Sequence, residues 1–253
     1  MKKLTRAETS LIDELVGHYL ENKPKLQTFL LEQVRPVLVN SSELAKHVHS
    51  FKWRLKEPEH LREKLQRKII ESKSANRKYG VTKENLFVKV NDLVGIRILH
   101  LHTRQMGEIN RLLGDLFEEG RFTVVEGPFA RTWDDETKAF FANIGIKTKQ
   151  SGPSMYTSVH YVIDSNSRTR YTAEIQVRTL AEELWGEVAH VVDYPKPCPS
   201  LACKEQIRVL ARVASSCTRL VDSIFRSYEE HLALESKAKP AHSKMSKRVD
   251  HLT

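Results

Sequence analysis

From Glu174 to Arg178 the chain alternates polar and aliphatic side chains, Glu174-Ile175-Gln176-Val177-Arg178, and at Thr179 it passes into a segment with helical spacing. A period of two places Ile175 and Val177 on one face of a strand and the three polar groups on the other. Such a face is either the wet side of an antiparallel sheet or a site. Two further runs can supply partners. Ser158 to Ile163 reads as a strand joined to Tyr171–Val177 by the polar turn Asp164-Ser165-Asn166-Ser167, and Val94 to Leu101 is a short β-rich run. Amphipathic helical stretches alternate with them, at Gln105–Glu119 and at Thr179–Val192, the latter capped by Thr179 and stopped before Pro195. The centre of the chain is therefore α/β in character.

The flanks are simpler. Leu11, Ile12, Leu15, Tyr19 and then Leu26, Phe29, Leu30, Val34 show helical spacing around Asn22-Lys23-Pro24, which predicts two N-terminal helices separated there. Val48 to Lys56 alternates like an edge strand, and Pro58 opens a helix with Leu61, Leu65 and Ile69 on one face. Phe122–Glu126 resembles a strand, whereas Gly127–Ser154 breaks into an irregular segment holding Trp133, Asp134, Asp135, Phe140 and Phe141. From Ile207 the positions Leu210, Val213, Ala214, Cys217, Leu220, Val221, Ile224, Phe225 and Tyr228 form the apolar stripe of one long helix. The expected organisation is 1–45 as N-terminal helices, 46–196 as the central domain, 197–236 as the long helix and 237–253 as a basic, disordered tail.

Composition narrows the partners. The 253 residues are 40% hydrophobic and 29% charged, which is enough to bury a core. No run approaches the ~18 apolar residues of a membrane span, and the start lacks an apolar signal core, so a cytoplasmic protein with no membrane partner is expected. Cys198, Cys203 and Cys217 fit neither a disulfide framework nor a zinc quartet. The net charge of +9 calls for a polyanion: nucleic acid, nucleotide phosphates or a membrane surface. Lys46–Lys83 holds twelve Lys or Arg against four Glu, 12 − 4 = +8, nearly the whole excess.

Five groups of residues can carry chemistry. Arg54, Lys56, His60, Lys64 and Lys68 form a row in which 60, 64 and 68 share a helix face, suited to a chain of phosphates or to a solvated basic face. Asp92-Leu-Val-Gly-Ile-Arg97 sets an acid before a strand and an arginine on it. The acid can hold Mg²⁺ and the guanidinium can stack on a base, or both can be ordinary turn and strand residues. Tyr156-Thr-Ser-Val-His160 leads into a strand, and Glu174, Gln176 and Arg178 share one face. Trp185, Glu187 and His190 on the next helix stand either behind a site or in ordinary packing.

Taken in order, Arg54-Leu-Lys56 with the helix to Lys64, Asp92-Leu-Val-Gly-Ile-Arg97, Tyr156-Thr-Ser-Val-His160, and Glu174-Ile-Gln-Val-Arg178-Thr179 with Trp185 and His190 resemble the synthetase domain of the RelA/SpoT family of alarmone synthetases, from about Val48 to Tyr194. The resemblance implies a mixed β-sheet flanked by helices, a nucleotidyltransferase-like synthetase domain. It also implies transfer of pyrophosphate from ATP to the 3′-hydroxyl of GDP or GTP, with release of AMP. By the same carry-over, Arg54 and Arg97 sandwich the adenine, and Lys56 and Lys64, with His60, hold the ATP side. Asp92 and Glu174 bind Mg²⁺, and Glu174 activates the acceptor hydroxyl. Tyr156 stacks on the acceptor base and His160 lines the acceptor phosphates, with Ser158, Gln176 and Arg178 completing that side.

The match departs from the family pattern on the acceptor side. Met155 replaces a usual glycine and His60 a usual serine; the Asp-Tyr-Ile run and a lysine before the tyrosine are missing, with Lys147 and Lys149 as substitutes. About 45 residues precede the match without a hydrolase signature, so a stand-alone small synthetase is expected, with the long helix packing on the domain or building a homo-oligomer. The alternative acceptor is the 3′ end of tRNA, as in toxic relatives that block translation and are held by an antitoxin. The altered acceptor loop and the basic tail favour it. A non-catalytic nucleotide or RNA binder is disfavoured because Asp92 and Glu174 are both kept.

Overall fold

The computed structural model describes residues 4–150, 155–193 and 198–246, and their side chains except those of 150 and 238–246. Helix α1 (Arg6–Thr28) starts at a capping box in which Thr5 and Glu8 exchange hydrogen bonds. It continues through a π-helical stretch, Phe29–Val34, into α2 (Arg35–Val39), and α3 (Ser42–Ala45) follows. The expected separation at Pro24 is thus absent. The proline forgoes one hydrogen bond, but Tyr19 and Leu26 on either side are fully buried and hold the helix to the core. The irregularity falls one turn later, where widening brings Phe29, Leu30 and Val34 inward.

Strand β1 (Ser50–Leu55) leads into α4 (Pro58–Ser74), whose Leu61, Leu65 and Ile69 are buried as their spacing requires. A short α5 (Leu86–Lys89) precedes β2 (Val94–His100), and α6 (Met106–Glu119) precedes β3 (Thr123–Thr132). Then come α7 (Asp135–Asn143), β4 (Lys147–Gln150), β5 (Ser158–Asp164), β6 (Thr172–Thr179), α8 (Leu180–Asp193) and α9 (Leu201–Ser246).

The six strands form one mixed sheet in the order β1-β2-β6-β5-β3-β4. β2 lies parallel to β6 and β3 to β4; the other pairings are antiparallel. The apolar face carries Ile96, Ile98, Val159, Tyr161, Ile175 and Val177 into one core shared with α1, α4 and α6. Each such aliphatic side chain contributes about 1.5–3 kcal/mol by leaving water. Tyr19 of α1 donates a hydrogen bond to the Lys56 carbonyl, so the N-terminal helix holds the end of β1 in place.

The expected irregular segment after Gly127 is instead a strand, a helix and a strand. Gly127 and Pro128 read as a break, yet β3 passes through them on two register shifts against β5. Gly127 has φ +94, and a Cβ there would stand 2.3 Å from the His160 carbonyl oxygen, so only glycine allows the close approach. Asp134 then caps α7 by accepting from the backbone of Glu136 and Thr137.

Helix α9 runs ten residues past the expected end at 236, through Pro240 to Ser246. Its first half is docked. Trp185 of α8 donates to the Ile207 carbonyl, Thr218 meets Thr179, Arg219 and Ser215 reach Asp134, and Asp222 accepts from His102. Ala211 and Ala214 are buried in that contact, while Val213, Leu220, Ile224 and Tyr228 face outward, so the apolar stripe is divided between packing and solvent. Pro195, where α8 was expected to stop, and the tail residues 247–253 lie outside the described residues.

Candidate active site

The polar face of the sheet opposite the core carries the candidate residues in two cross-strand rows. Arg54 on β1 lies opposite Gly95 on β2, which lies beside Glu174 on β6. One step along, Lys52, Arg97, Gln176, His160, Phe129 and Lys147 follow one another across all six strands. Side chains that share a face in register stand close enough to interact, so the pairing itself assembles the site.

At the end of β1, Lys56 is buried and its Nζ lies 2.9 Å from Asp92 Oδ2, while Lys64 Nζ on α4 lies 2.6 Å from Oδ1. Burial alone would raise the Asp92 carboxyl, but the attraction of the two ammonium groups outweighs it and holds the acid at about 2. Burial draws the Lys56 ammonium below the usual lysine range against the pull of Asp92. His60 sits one turn before Lys64 on α4, partly buried. Two cations on one carboxylate leave this corner with a surplus positive charge, ready for phosphate oxygens.

On β6, Glu174 accepts from Gln176 Nε2 at 2.9 Å and meets His160 Nδ1 at 3.2 Å. Burial would raise this carboxyl too; the hydrogen bond and charge of His160 bring it below the usual range, although the nearby Asp92 charge opposes them. Tyr156 receives a hydrogen bond from Arg178 Nη2 at 2.6 Å, and the same guanidinium sits 4.9 Å from its ring centroid. Tyr156 also donates to Gln176 Oε1 at 3.2 Å, and its ring lies 5.8 Å from that of His160 and 6.4 Å from that of Trp185. Glu174, Gln176, Arg178, His160 and Tyr156 therefore form one contiguous network. Ser158 is buried, its hydroxyl 3.5 Å from the Val159 carbonyl.

Three residues of this face escaped the sequence reading. Glu183 on α8 is 4% exposed; its Oε1 accepts from Lys52 at 2.7 Å and from Arg97 at 2.9 Å, and its Oε2 forms an ion pair with Arg178 at 3.1 Å, so one carboxylate ties both edges of the site together. Arg97 also pairs with the exposed Glu187. Lys52 was visible only as part of the basic stretch. Phe129 stacks on His160 at 5.4 Å, and Lys149 Nζ sits 3.7 Å from the Phe129 centroid. The available signal for Glu183 was its four-residue spacing from Glu187, one turn of α8. Phe129 had none, because the strand that carries it was read as ended.

Among the described residues no group of three or more His, Cys, Asp or Glu gathers as a metal site. A hard cation such as Mg²⁺ is commonly held by one or two carboxylates with substrate phosphates supplying the rest, and the ionised pair Asp92 and Glu174 fits that donor set. No helix among the described residues is long and apolar enough to cross a membrane.

The sequence profile described as "Region found in RelA / SpoT proteins" matches residues 53–198, which is 146 of 253 residues. The chain belongs to the RelA/SpoT family. Solved structures share the fold. A GTP pyrophosphokinase family protein from Streptococcus pneumoniae is 21% identical with TM-score 0.52, over 91% of this chain and 98% of that one. Small alarmone synthetase 1 of Bacillus subtilis bound to its product pppGpp is 16% identical with TM-score 0.54, over 86% and 99%. The same synthetase bound to AMPCPP is 15% identical with TM-score 0.51, over 86% and 98%. No curated protein matches the chain. The RelA/SpoT match spans β1 to α8, which includes the Asp92 cluster, the Glu174 network and Glu183.

Proposed function

We propose that this RelA/SpoT protein is an ATP-dependent pyrophosphokinase that moves the β,γ-pyrophosphate of ATP to the 3′-hydroxyl of GDP or GTP, breaking the α–β phosphoanhydride bond and releasing AMP. The observation that carries the reading is the pair of partly buried, ionised carboxylates, Asp92 and Glu174, set between a lysine cluster and an aromatic-guanidinium network. Phosphoryl-type transfer asks a protein for positioning and charge compensation more than for covalent chemistry. Lys56 and Lys64 would take the donor phosphates, exchanging part of their hold on Asp92 for phosphate oxygens. Arg54 and Arg97, neighbours of Gly95 and Gln176 on the open face, would flank the adenine. On the other side Tyr156 would stack on the acceptor base, and Glu174, oriented by His160 and Gln176, would accept the proton of the attacking hydroxyl. Asp92 and Glu174 would hold Mg²⁺, which supplies charge neutralisation on the phosphates when bound.

A pppGpp-bound B. subtilis structure of the same fold supports a guanosine acceptor. The basic helix-to-tail composition keeps tRNA as the second acceptor, and a cytoplasmic setting suits either substrate. Incubation with ATP labelled on its γ-phosphate together with GDP, GTP or bulk tRNA tests the reading. Label on GDP or GTP is expected, label on tRNA alone would replace the acceptor, and no transfer to any of them would refute the activity.

A further inference from the structure

A cavity of about 420 Å³ opens beside the C-terminal half of α4, lined by Lys68, Arg77, Lys78 and Lys89 against a single acid, Glu71. Elsewhere the cations of this region are paired: Arg62 with Asp13, Lys64 with Asp92, Lys73 with Glu8 and Lys83 with Glu14. The four around the cavity have no carboxylate partner among the described residues, and Glu71 is already 3.8 Å from Arg67 outside it. Four cations and one acid thus line this space, a net positive charge suited to an anion.

Local structure holds the cations there. α4 ends in a left-handed residue, Asn76 at φ 51, with Arg77 N–H bonded to the Ser72 carbonyl at 2.8 Å and Asn76 N–H to that of Lys73 at 3.3 Å. This closing motif turns the chain back so that Arg77, Lys78, Tyr79 and Gly80 line the space across from Lys68. Basic residues near a helix C-terminus can also answer the helix dipole, but that amounts to roughly half a charge, far short of four cations. The Tyr79 hydroxyl is buried without a hydrogen-bond partner among the described residues.

We propose that this cavity is a second anion site that takes the phosphate chain of a polyphosphate ligand, separate from the site around Asp92. Lys68 lies one helical turn beyond Lys64, and Lys89 three residues before Asp92, so the second site continues the basic track of the first. Charge-assisted hydrogen bonds from three or four cations match a tri- or longer phosphate, whether inorganic polyphosphate or the phosphate tail of a nucleotide. The cavity and its charges stand apart from the proposed transfer reaction.

The probes are inorganic tripolyphosphate and GTP, each titrated calorimetrically into the full chain and into the variant Arg77→Glu/Lys78→Glu; GTP also fills the acceptor side proposed above, so the second site is the binding event that the variant weakens. One further site per chain is expected, and its affinity falls at least about tenfold in the variant Arg77→Glu/Lys78→Glu, whose melting temperature stays near that of the wild type because both side chains are exposed. Equal affinity for the two probes identifies the phosphate chain alone as the recognised group; tighter binding of GTP identifies a nucleotide as its source. Absence of a second site, an unchanged affinity in the double variant, or binding of single-stranded RNA with neither probe would overturn the proposal. In an activity assay the variant retains turnover if the two sites are separate.

Discussion

Arg54 lies across β2 in the space that Gly95 leaves open: a Cβ on Gly95 would stand 2.9 Å from the Arg54 Nε and 3.1 Å from its Cγ. Gly95 is thus a packing requirement of the site, set inside the Asp92-Leu-Val-Gly-Ile-Arg97 run, and its place beside Glu174 puts Arg54 and Glu174 in one cross-strand row. Gly95→Ala is expected to displace Arg54 and raise the KM for ATP by about tenfold while the acceptor KM stays within about twofold. Steady-state kinetics with each substrate varied would show this, and an equal rise in both constants would mean that the strand itself had shifted.

Glu183 binds Lys52, Arg97 and Arg178 with a side chain only 6% exposed, so Glu183→Gln leaves three cations short of their counter-charge. Removing one partner from a buried ionic cluster costs about 3–5 kcal/mol. Urea denaturation should show a loss of that order, with both substrate KM values raised because Arg97 and Arg178 move together. Glu187→Gln touches an exposed carboxylate, and a change of at most about 1 kcal/mol is expected.

Glu174→Gln should abolish transfer and leave folding nearly intact, since an amide can still meet His160 and Gln176. The loss of charge at the proposed metal position corresponds to several kcal/mol of transition-state stabilisation. Asp92→Asn should abolish transfer and also lower the melting temperature, because Lys56 and Lys64 lose the charge that both of them hold. Retained activity in either variant, measured by AMP release, would remove that carboxylate from the reaction.

Tyr156→Phe and Tyr156→Ala separate ring from hydroxyl. If the ring stacks on the acceptor base, the alanine variant loses about 1–3 kcal/mol in acceptor binding and little for ATP. The phenylalanine variant keeps the ring and loses only the hydroxyl that Arg178 donates to. Similar acceptor KM values for the two variants would place the contribution in the hydroxyl contact.

His100 is buried at the end of β2, its Nδ1 3.0 Å from the His102 carbonyl, and burial lowers its pKa to about 4. The unfolded chain protonates this imidazole near 6.5 and the folded chain resists it, so stability is complete above about 6.5 and falls as pH drops towards 4. His100→Asn keeps a donor for the His102 carbonyl and removes the titration. The wild type should lose more stability than the variant between pH 7 and 4.5, by an amount on the order of 2 kcal/mol. Parallel losses in chemical denaturation at both pH values would exclude His100 as the source.

Much of the sheet was legible because the determinants are local. Two-residue alternation marked β1 and β6, β-rich runs marked β2 and β5, helical spacing marked α4, α6 and α8, and Thr179 marked the start of α8, where it exchanges hydrogen bonds with Glu182. Motif wording also named the residues of the Asp92 and Glu174 clusters. Local pattern misled where a residue's local cost is outweighed by distant packing: Pro24 stays helical on the strength of buried Tyr19 and Leu26, and β3 passes Gly127 because the gap beside the His160 carbonyl admits only a glycine.

What periodicity cannot contain is the order of the strands. By itself the sequence determined which faces are polar and which residue types stand on them. Only the parallel pairing of β2 with β6 brings Gly95 beside Glu174 and Arg97 beside Gln176, and only the return of α8 over the sheet carries Glu183 to Lys52, 131 residues away, and to Arg97, 86 residues away. Those contacts depend on the burial of apolar faces distributed along the whole chain, a non-local free energy that no window of sequence expresses.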